Sequence, residues 1–197
     1  MKLYYQPQTR AFTALWMLEE LGVPYEIARV DIRAPEHPTP AYRAINPMGK
    51  LPGLEDGANR FGETAAVLLY LAEKFPEKGF APRPTDPNRG RFLQWLVFSA
   101  STMEPAATAR MTKTEMPDKT VGWGSYERMA AALEEALTPG PYLFGEGFTA
   151  ADLYVASSLR YMMMFDMVEK RPAFEAMVAR ATARPAFARA TAVEDNG

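Results

Sequence analysis

The first thirty positions change hydrophobic period twice. Leu3, Tyr4 and Tyr5 make a short aliphatic and aromatic run ahead of Pro7, the pattern of a strand delivered into a turn. From Thr9 the texture becomes helical. Ala11, Ala14, Leu15, Leu18 and Leu21 recur at i, i+3, i+4, i+7 and i+10, and Phe12 and Trp16 widen the stripe. Gly22 stands where a left-handed cap belongs, with Pro24 just beyond. Ile27 and Val30 alternate loosely within residues 25–31, which predicts a second strand. A strand, a helix and a strand within roughly 30 residues form a βαβ unit, so the two strands are expected to run parallel.

A proline-rich passage follows (Pro35, Pro38, Pro40), then a short helical stretch over 41–45. The run Asn46-Pro47-Met48-Gly49-Lys50-Leu51-Pro52-Gly53-Leu54 reads as a structured turn entering a strand. Asp56-Gly57 marks a hairpin, and Gly62-Glu63-Thr64 opens a helix striped by Val67, Leu68, Leu71 and Phe75. Periodicity then collapses across residues 76–91, where Pro76, Pro82, Pro84 and Pro87 crowd together. The expected division is therefore an α/β domain over residues 1–77, a linker over 78–90 and an all-α domain over 91–197. In the second domain a long helix starts near Phe92, with Pro105 relaxing or kinking it. A further helix is predicted over 118–137, and Thr138-Pro139-Gly140-Pro141 breaks it. Thr149 and Asp152 form a capping box with Phe148 as staple. Short helices over 172–183 and 185–190 complete the reading, and Glu194-Asp195-Asn196-Gly197 is expected to fray.

Composition narrows the chemistry. The 197 residues are 48% hydrophobic and 23% charged, enough apolar material for a substantial core and far from a disordered balance. A net charge of −2 argues against a nucleic-acid footprint. No cysteine is present, which excludes disulfides, thiolate metal sites, a cysteine nucleophile and a redox dithiol. One histidine, His37, is too few for an imidazole zinc centre, and between Glu36 and Pro38 it is expected in an exposed loop. The N-terminus lacks a secretory pattern, and no run approaches the roughly 20 apolar residues of a membrane helix. A cytoplasmic protein with no membrane and no nucleic-acid partner is expected.

Five segments in order resemble the glutathione S-transferases. They are Tyr5-Gln6-Pro7-Gln8-Thr9-Arg10-Ala11, the helix end Trp16-Met17-Leu18-Glu19-Glu20-Leu21-Gly22, Asn46 through Pro52, Glu63-Thr64, and Phe148-Thr149-Ala150-Ala151-Asp152. The resemblance implies a thioredoxin-like N-terminal domain, an all-α C-terminal domain and a homodimer. It also implies a bacterial-like serine/threonine-type enzyme of detoxification that conjugates glutathione to a small hydrophobic electrophile, with glutathione as co-substrate and no cofactor or metal. Glutathione-dependent reduction of disulfides or peroxides, and non-catalytic ligand binding on the same fold, stand as alternatives.

Such an enzyme must make a thiol anionic at neutral pH, where a free thiol with a pKa of about 8.5 is only a few per cent ionised. Thr9 ahead of the first helix offers a hydroxyl, and the helix start offers N–H groups and a positive dipole end. A hydrogen bond to a charged group contributes about 1.5–3 kcal/mol and the dipole roughly 0.3–1. The resemblance makes Thr9 the thiolate-stabilising residue, with Tyr5 as competitor at the strand end. It makes Leu51-Pro52 a cis-proline turn whose Leu51 backbone pairs with the peptide. It assigns the γ-glutamyl end to Glu63 and Thr64, and the glycyl carboxylate to Lys50 or Arg33. The electrophile is expected between the domains against Phe98, Thr102, Met103 and Ala106. Thr149 and Asp152 are assigned to structure.

Overall fold

A computed structural model describes residues 1–195 of the chain. They form two compact units: Met1–Lys78 together with the described residues from Arg184 onward, and Gly79–Ala183.

The first unit carries the sheet. Its elements are β1 (Lys2–Tyr5), α1 (Ala11–Leu21), β2 (Glu26–Arg29), α2 (Pro40–Arg43), β3 (Gly53–Asp56), β4 (Asn59–Gly62) and α3 (Thr64–Lys74). The strands lie in the order β2-β1-β3-β4. β1 and β2 are parallel, as the βαβ pattern requires, and β3 and β4 are antiparallel to their neighbours. Gly22 ends α1 at φ 65°, the left-handed conformation a residue without Cβ adopts at little cost. α1 is buried well beyond its predicted stripe, with Thr13 and Met17 enclosed as well. The reason is that two helices cover it: α3 and the last helix, α9 (Pro185–Asp195).

That last contact corrects the expected domain boundary. The chain returns after Ala183, and α9 packs on the α/β unit rather than completing the helical one. α9 is also longer than residues 185–190. Glu194 and Asp195 are helical, whereas Asn196 and Gly197 lie outside the described residues. Periodicity reports that a helix has an apolar side and is silent on which core receives it.

The second unit is helical: α4 (Arg89–Phe98), a π-helical stretch (Ser99–Met103), α5 (Glu104–Met111), α6 (Tyr126–Leu137), α7 (Ala150–Met164) and α8 (Pro172–Thr182). The π stretch is the relaxation expected at Pro105. Proline brings no N–H back to the preceding turn, so the backbone widens there. The helix predicted over 118–137 begins only at Tyr126. The left-handed Gly124 (φ 65°) interrupts it earlier, and the Ser125 side chain accepts the Arg128 N–H at 3.3 Å. The expected linker is in part structure. Phe80 is buried, meets Phe148 edge-on and accepts the Ala150 N–H at 2.8 Å.

At the start of α7 the capping box is complete. Asp152, fully buried, accepts the Thr149 N–H (2.9 Å), the Thr149 hydroxyl (2.6 Å) and the Leu143 N–H (2.8 Å). Burial pushes the Asp152 carboxyl pKa up, and the bonds from Thr149 and Leu143 pull against it.

Candidate active site

The strand register decides which loops meet. Tyr4 pairs with Gly53, and Gly53 pairs with Gly62. Because β3 and β4 alternate in direction, the next residue beyond that row is Tyr5 on β1, Pro52 on β3 and Glu63 on β4. The loop after β1, the Leu51-Pro52 turn and the start of α3 therefore lie at one end of the sheet. α1 and α3 both start at this end, so two positive helix termini belong to it. The residues following β2, including Arg33, leave from the same end, since Tyr5 pairs with Arg29.

Within the first loop, Thr9 is turned inward. Its hydroxyl donates to the Gln6 carbonyl at 2.7 Å and accepts the Ala11 N–H at 3.3 Å. The Thr9 carbonyl accepts the Phe12 N–H, and the Arg10 carbonyl accepts that of Thr13. The expectation of unpaired amides at the start of α1 is thus corrected at Ala11, Phe12 and Thr13, which the loop itself answers. Tyr5, the competing hydroxyl, is fully buried, and its oxygen has no hydrogen bond of acceptable geometry among the described residues. Burial is the main cause that pushes its pKa up, and the neighbouring Glu194 carboxylate adds to it. A phenol held neutral inside the core is badly placed to meet a ligand.

The second loop is built with care around the Leu51–Pro52 peptide, which is cis. Leu51 is buried and lies just outside the ladder, which begins at Gly53. Behind it, the carbonyl of Lys50 accepts from the Tyr42 hydroxyl (2.7 Å) and from Asn46 Nδ2 (2.8 Å). Asn46 Oδ1 accepts the Met48 N–H at 3.1 Å, closing an Asx turn. A Cβ on Gly62 would stand 2.1 Å from Asn46 Nδ2, so only glycine fits against that side chain. Sequence reasoning missed Asn46 and Tyr42 as the builders of this turn. The Asn-Pro-x-Gly string was the available signal.

His37 is a correction of the same kind. It is half-buried with its ring tilted against that of Tyr42, and its Nε2 meets the Gly49 carbonyl at 2.6 Å. A carbonyl only accepts, so Nε2 carries the proton. The residue staples the proline-rich loop to the turn instead of hanging in solvent.

At the third position, Glu63 is exposed with φ 67°, and no side chain caps α3. Thr64 is buried at the first helical position. This helix start has donors to spare, as every uncapped one does. Lys50 is exposed beside Leu51. Arg33 is exposed too, and its N–H is held by Asp31 Oδ1 at 2.9 Å.

The four expected pocket residues lie in the helical unit. Met103 and Ala106 are buried, and Phe98 and Thr102 are half-buried, with Phe98 edge-on to Trp95. Ala106 also lines a cavity of about 510 Å³ with Arg110, Trp123, Tyr126 and Glu127, which the other three do not reach. Among the described residues no cluster of acidic or imidazole groups is arranged to hold a metal ion, and no helix is long and apolar enough to cross a membrane.

Chemically, one sheet end thus presents the uncapped start of α3, the positive dipole end of α1, a peptide edge and exposed cations, a combination suited to an anionic peptide. Comparison with known proteins points the same way. Residues 10–74 match the glutathione S-transferase N-terminal domain, and residues 105–190 match the C-terminal domain. Glutathione S-transferase F9 of Arabidopsis thaliana is 34% identical over 71% of this chain and 70% of its own. A solved glutathione transferase of Methylococcus capsulatus is 28% identical with TM-score 0.82, covering 100% of this chain and 99% of its own. A glutathione transferase homologue from Sulfitobacter, solved with glutathione bound, is 32% identical with TM-score 0.76, covering 100% and 97%.

Proposed function

The chain belongs to the glutathione S-transferase family, and from that premise we propose a glutathione transferase that attacks small hydrophobic electrophiles with a thiolate formed at the Thr9 loop. The observation that carries the reading is the register placing Thr9, Leu51-Pro52 and Glu63-Thr64 at one sheet end. On this reading the uncapped start of α3 takes the γ-glutamyl carboxylate and Glu63 takes the ammonium. The Leu51 backbone pairs with the cysteinyl peptide group, and Lys50 or Arg33 meets the glycyl carboxylate.

The chemistry at sulfur is more modest than the bare sequence suggests. For the Thr9 hydroxyl to donate to sulfur it must leave the Gln6 carbonyl. A neutral hydrogen bond of about 0.5–1.5 kcal/mol is exchanged for a charged one of about 1.5–3. The net gain is about 1–1.5 kcal/mol, close to one pKa unit. The helix dipole adds roughly 0.3–1 kcal/mol on top. Together these bring a thiol of pKa about 8.5 to near 7, so that at neutral pH about half is thiolate. Attack then needs no base on the protein. The thiolate sulfur forms the new bond to carbon and the electrophile's leaving group departs with its electron pair.

Detoxification, a cytoplasmic location and a homodimer belong to the same proposal and rest on the family resemblance. Phe98 and Thr102 are proposed to contact the electrophile, with Met103 and Ala106 supporting them from the core. Calorimetry with glutathione, followed by ultraviolet titration of the bound thiol, tests the central claim. Binding with a thiol pKa near 7 is the expected result. Binding with an unshifted thiol would leave a carrier of ligands on this fold. Faster turnover on a hydroxyalkyl disulfide than on an aryl halide would replace conjugation by reduction.

A further inference from the structure

α9 runs antiparallel to α1 and is fastened along its length. Arg184 makes a two-pronged contact with Glu20 (2.7 Å on each oxygen), and Phe187 stands edge-on to Trp16 (5.0 Å) and Phe12 (5.7 Å). Arg189 donates to the Glu19 carboxylate (2.8 Å) and the Glu19 carbonyl (2.6 Å). Seven residues past Phe187, about 10 Å along the helix, Glu194 reaches the loop ahead of α1. There its Oε1 accepts the N–H of Gln8 at 2.6 Å.

Gln8 is the residue before Thr9, and it is left-handed at φ 58°. A side chain larger than glycine holds that conformation only against a steric penalty between its Cβ and the backbone. Pro7 brings no N–H, the Gln6 side chain accepts the Ile32 N–H at 2.9 Å, and the Thr9 hydroxyl donates to the Gln6 carbonyl and accepts the Ala11 N–H. Glu194 is the one contact in this set that arrives from the far end of the chain. Its carboxylate also neighbours the buried hydroxyl of Tyr5.

We propose that Glu194 is a positioning residue: by accepting the Gln8 N–H it holds the loop so that the Thr9 hydroxyl stands ready to leave Gln6 for the sulfur. This rests on the reading of Thr9 given above. The carboxylate acts through the backbone and does not touch the thiol. What it must supply is an acceptor, so an amide at this position serves where a methyl group does not.

The test compares Glu194→Ala and Glu194→Gln in the full-length protein. Amide hydrogen exchange of free protein reads the contact without any ligand. Glu194→Ala should speed exchange at Gln8 roughly fivefold while leaving Leu15 and Leu18 in α1 protected, and Glu194→Gln should restore most of the protection. With glutathione bound, Glu194→Ala should raise KM for glutathione and shift the thiol titration upward, and Glu194→Gln should lie near wild type. Unchanged Gln8 exchange in Glu194→Ala overturns the proposal, as does faster exchange with an unmoved thiol titration. Thr9→Ala run beside them separates the two levels. If it shifts the titration and Glu194→Ala does not, Glu194 has no positioning role; if neither does, the Thr9 reading itself has failed.

Discussion

At the start of α7, Thr149 and Asp152 are turned on each other, both buried, with the three oxygens and the amides around them answered within hydrogen-bond distance. At the start of α3, Glu63 and Thr64 bring the same residue types to a helix terminus, yet Glu63 is exposed and no side chain caps the helix. The difference lies in the spacing. An acid three residues after the threonine reaches back to close the box, whereas an acid directly before it points away from the first turn. A closed terminus spends its donors on the fold. An open one at the loop end of a sheet keeps them for a ligand, and α1, closed by Thr9, lies between the two cases.

The contrast predicts its own largest effect at α7. Asp152→Ala leaves two amides and a hydroxyl buried without an acceptor, a loss of about 3 kcal/mol or more. The urea midpoint should fall accordingly, while glutathione affinity of the folded fraction stays within about twofold, since binding then differs by less than 0.5 kcal/mol. At α3 the outcome reverses. Thr64→Val should weaken glutathione binding by about tenfold, the loss of one hydrogen bond to a charged group, and leave the urea midpoint nearly in place. Calorimetry and denaturant titration of the two variants side by side check both halves. A Thr64 variant that loses stability and keeps affinity would put α3 in the same class as α7.

Much of this was legible in the chain, and the illegible part has a physical cause. The βαβ unit, the hairpin at Asp56-Gly57, the box at Thr149 and the stop at Gly22 are local signals, written within a few residues of where they act. Glu63-Thr64 and Leu51-Pro52 are also visible, because each opens or enters an element. Contacts across the chain left no such mark. Nothing around Arg184, Phe187 or Glu194 reveals that they meet Glu20, Trp16 and Gln8, more than 160 positions away. The same holds for His37 and Gly49, whose meeting depends on how two loops fold back. The helix predicted over 118–137 began too early for a local reason, the left-handed Gly124 just ahead of Tyr126.

Next in size is α1. Thr9→Ala should raise the pKa of bound glutathione by about one unit, the net of the exchange between Gln6 and sulfur. Affinity should change less than in Thr64→Val, because the sulfur is one contact among several. The fold should lose about 1 kcal/mol from the uncapped Ala11 amide. Ultraviolet titration of the thiolate against pH checks the shift. A larger shift, two to three units, would mean that the inward bond to Gln6 does not compete and that α1 is as open as α3.

The smallest effect is expected at Tyr5, and it separates the two candidate hydroxyls. The Tyr5 oxygen is enclosed and makes no hydrogen bond of acceptable geometry among the described residues, with the Glu194 carboxylate nearby, and burial already holds the phenol neutral. Removing it in Tyr5→Phe takes away a polar atom that was costly to bury and leaves no donor stranded. The thiol titration should therefore coincide with wild type, and the melting temperature should stay level or rise. A rise would mark the unpaired hydroxyl as a burden on the core, and a level value would mean that the nearby Glu194 carboxylate offsets it. An upward shift of the thiol titration in Tyr5→Phe would instead require the ring to swing out of the core on binding, and would pass the chemistry from Thr9 to the strand end.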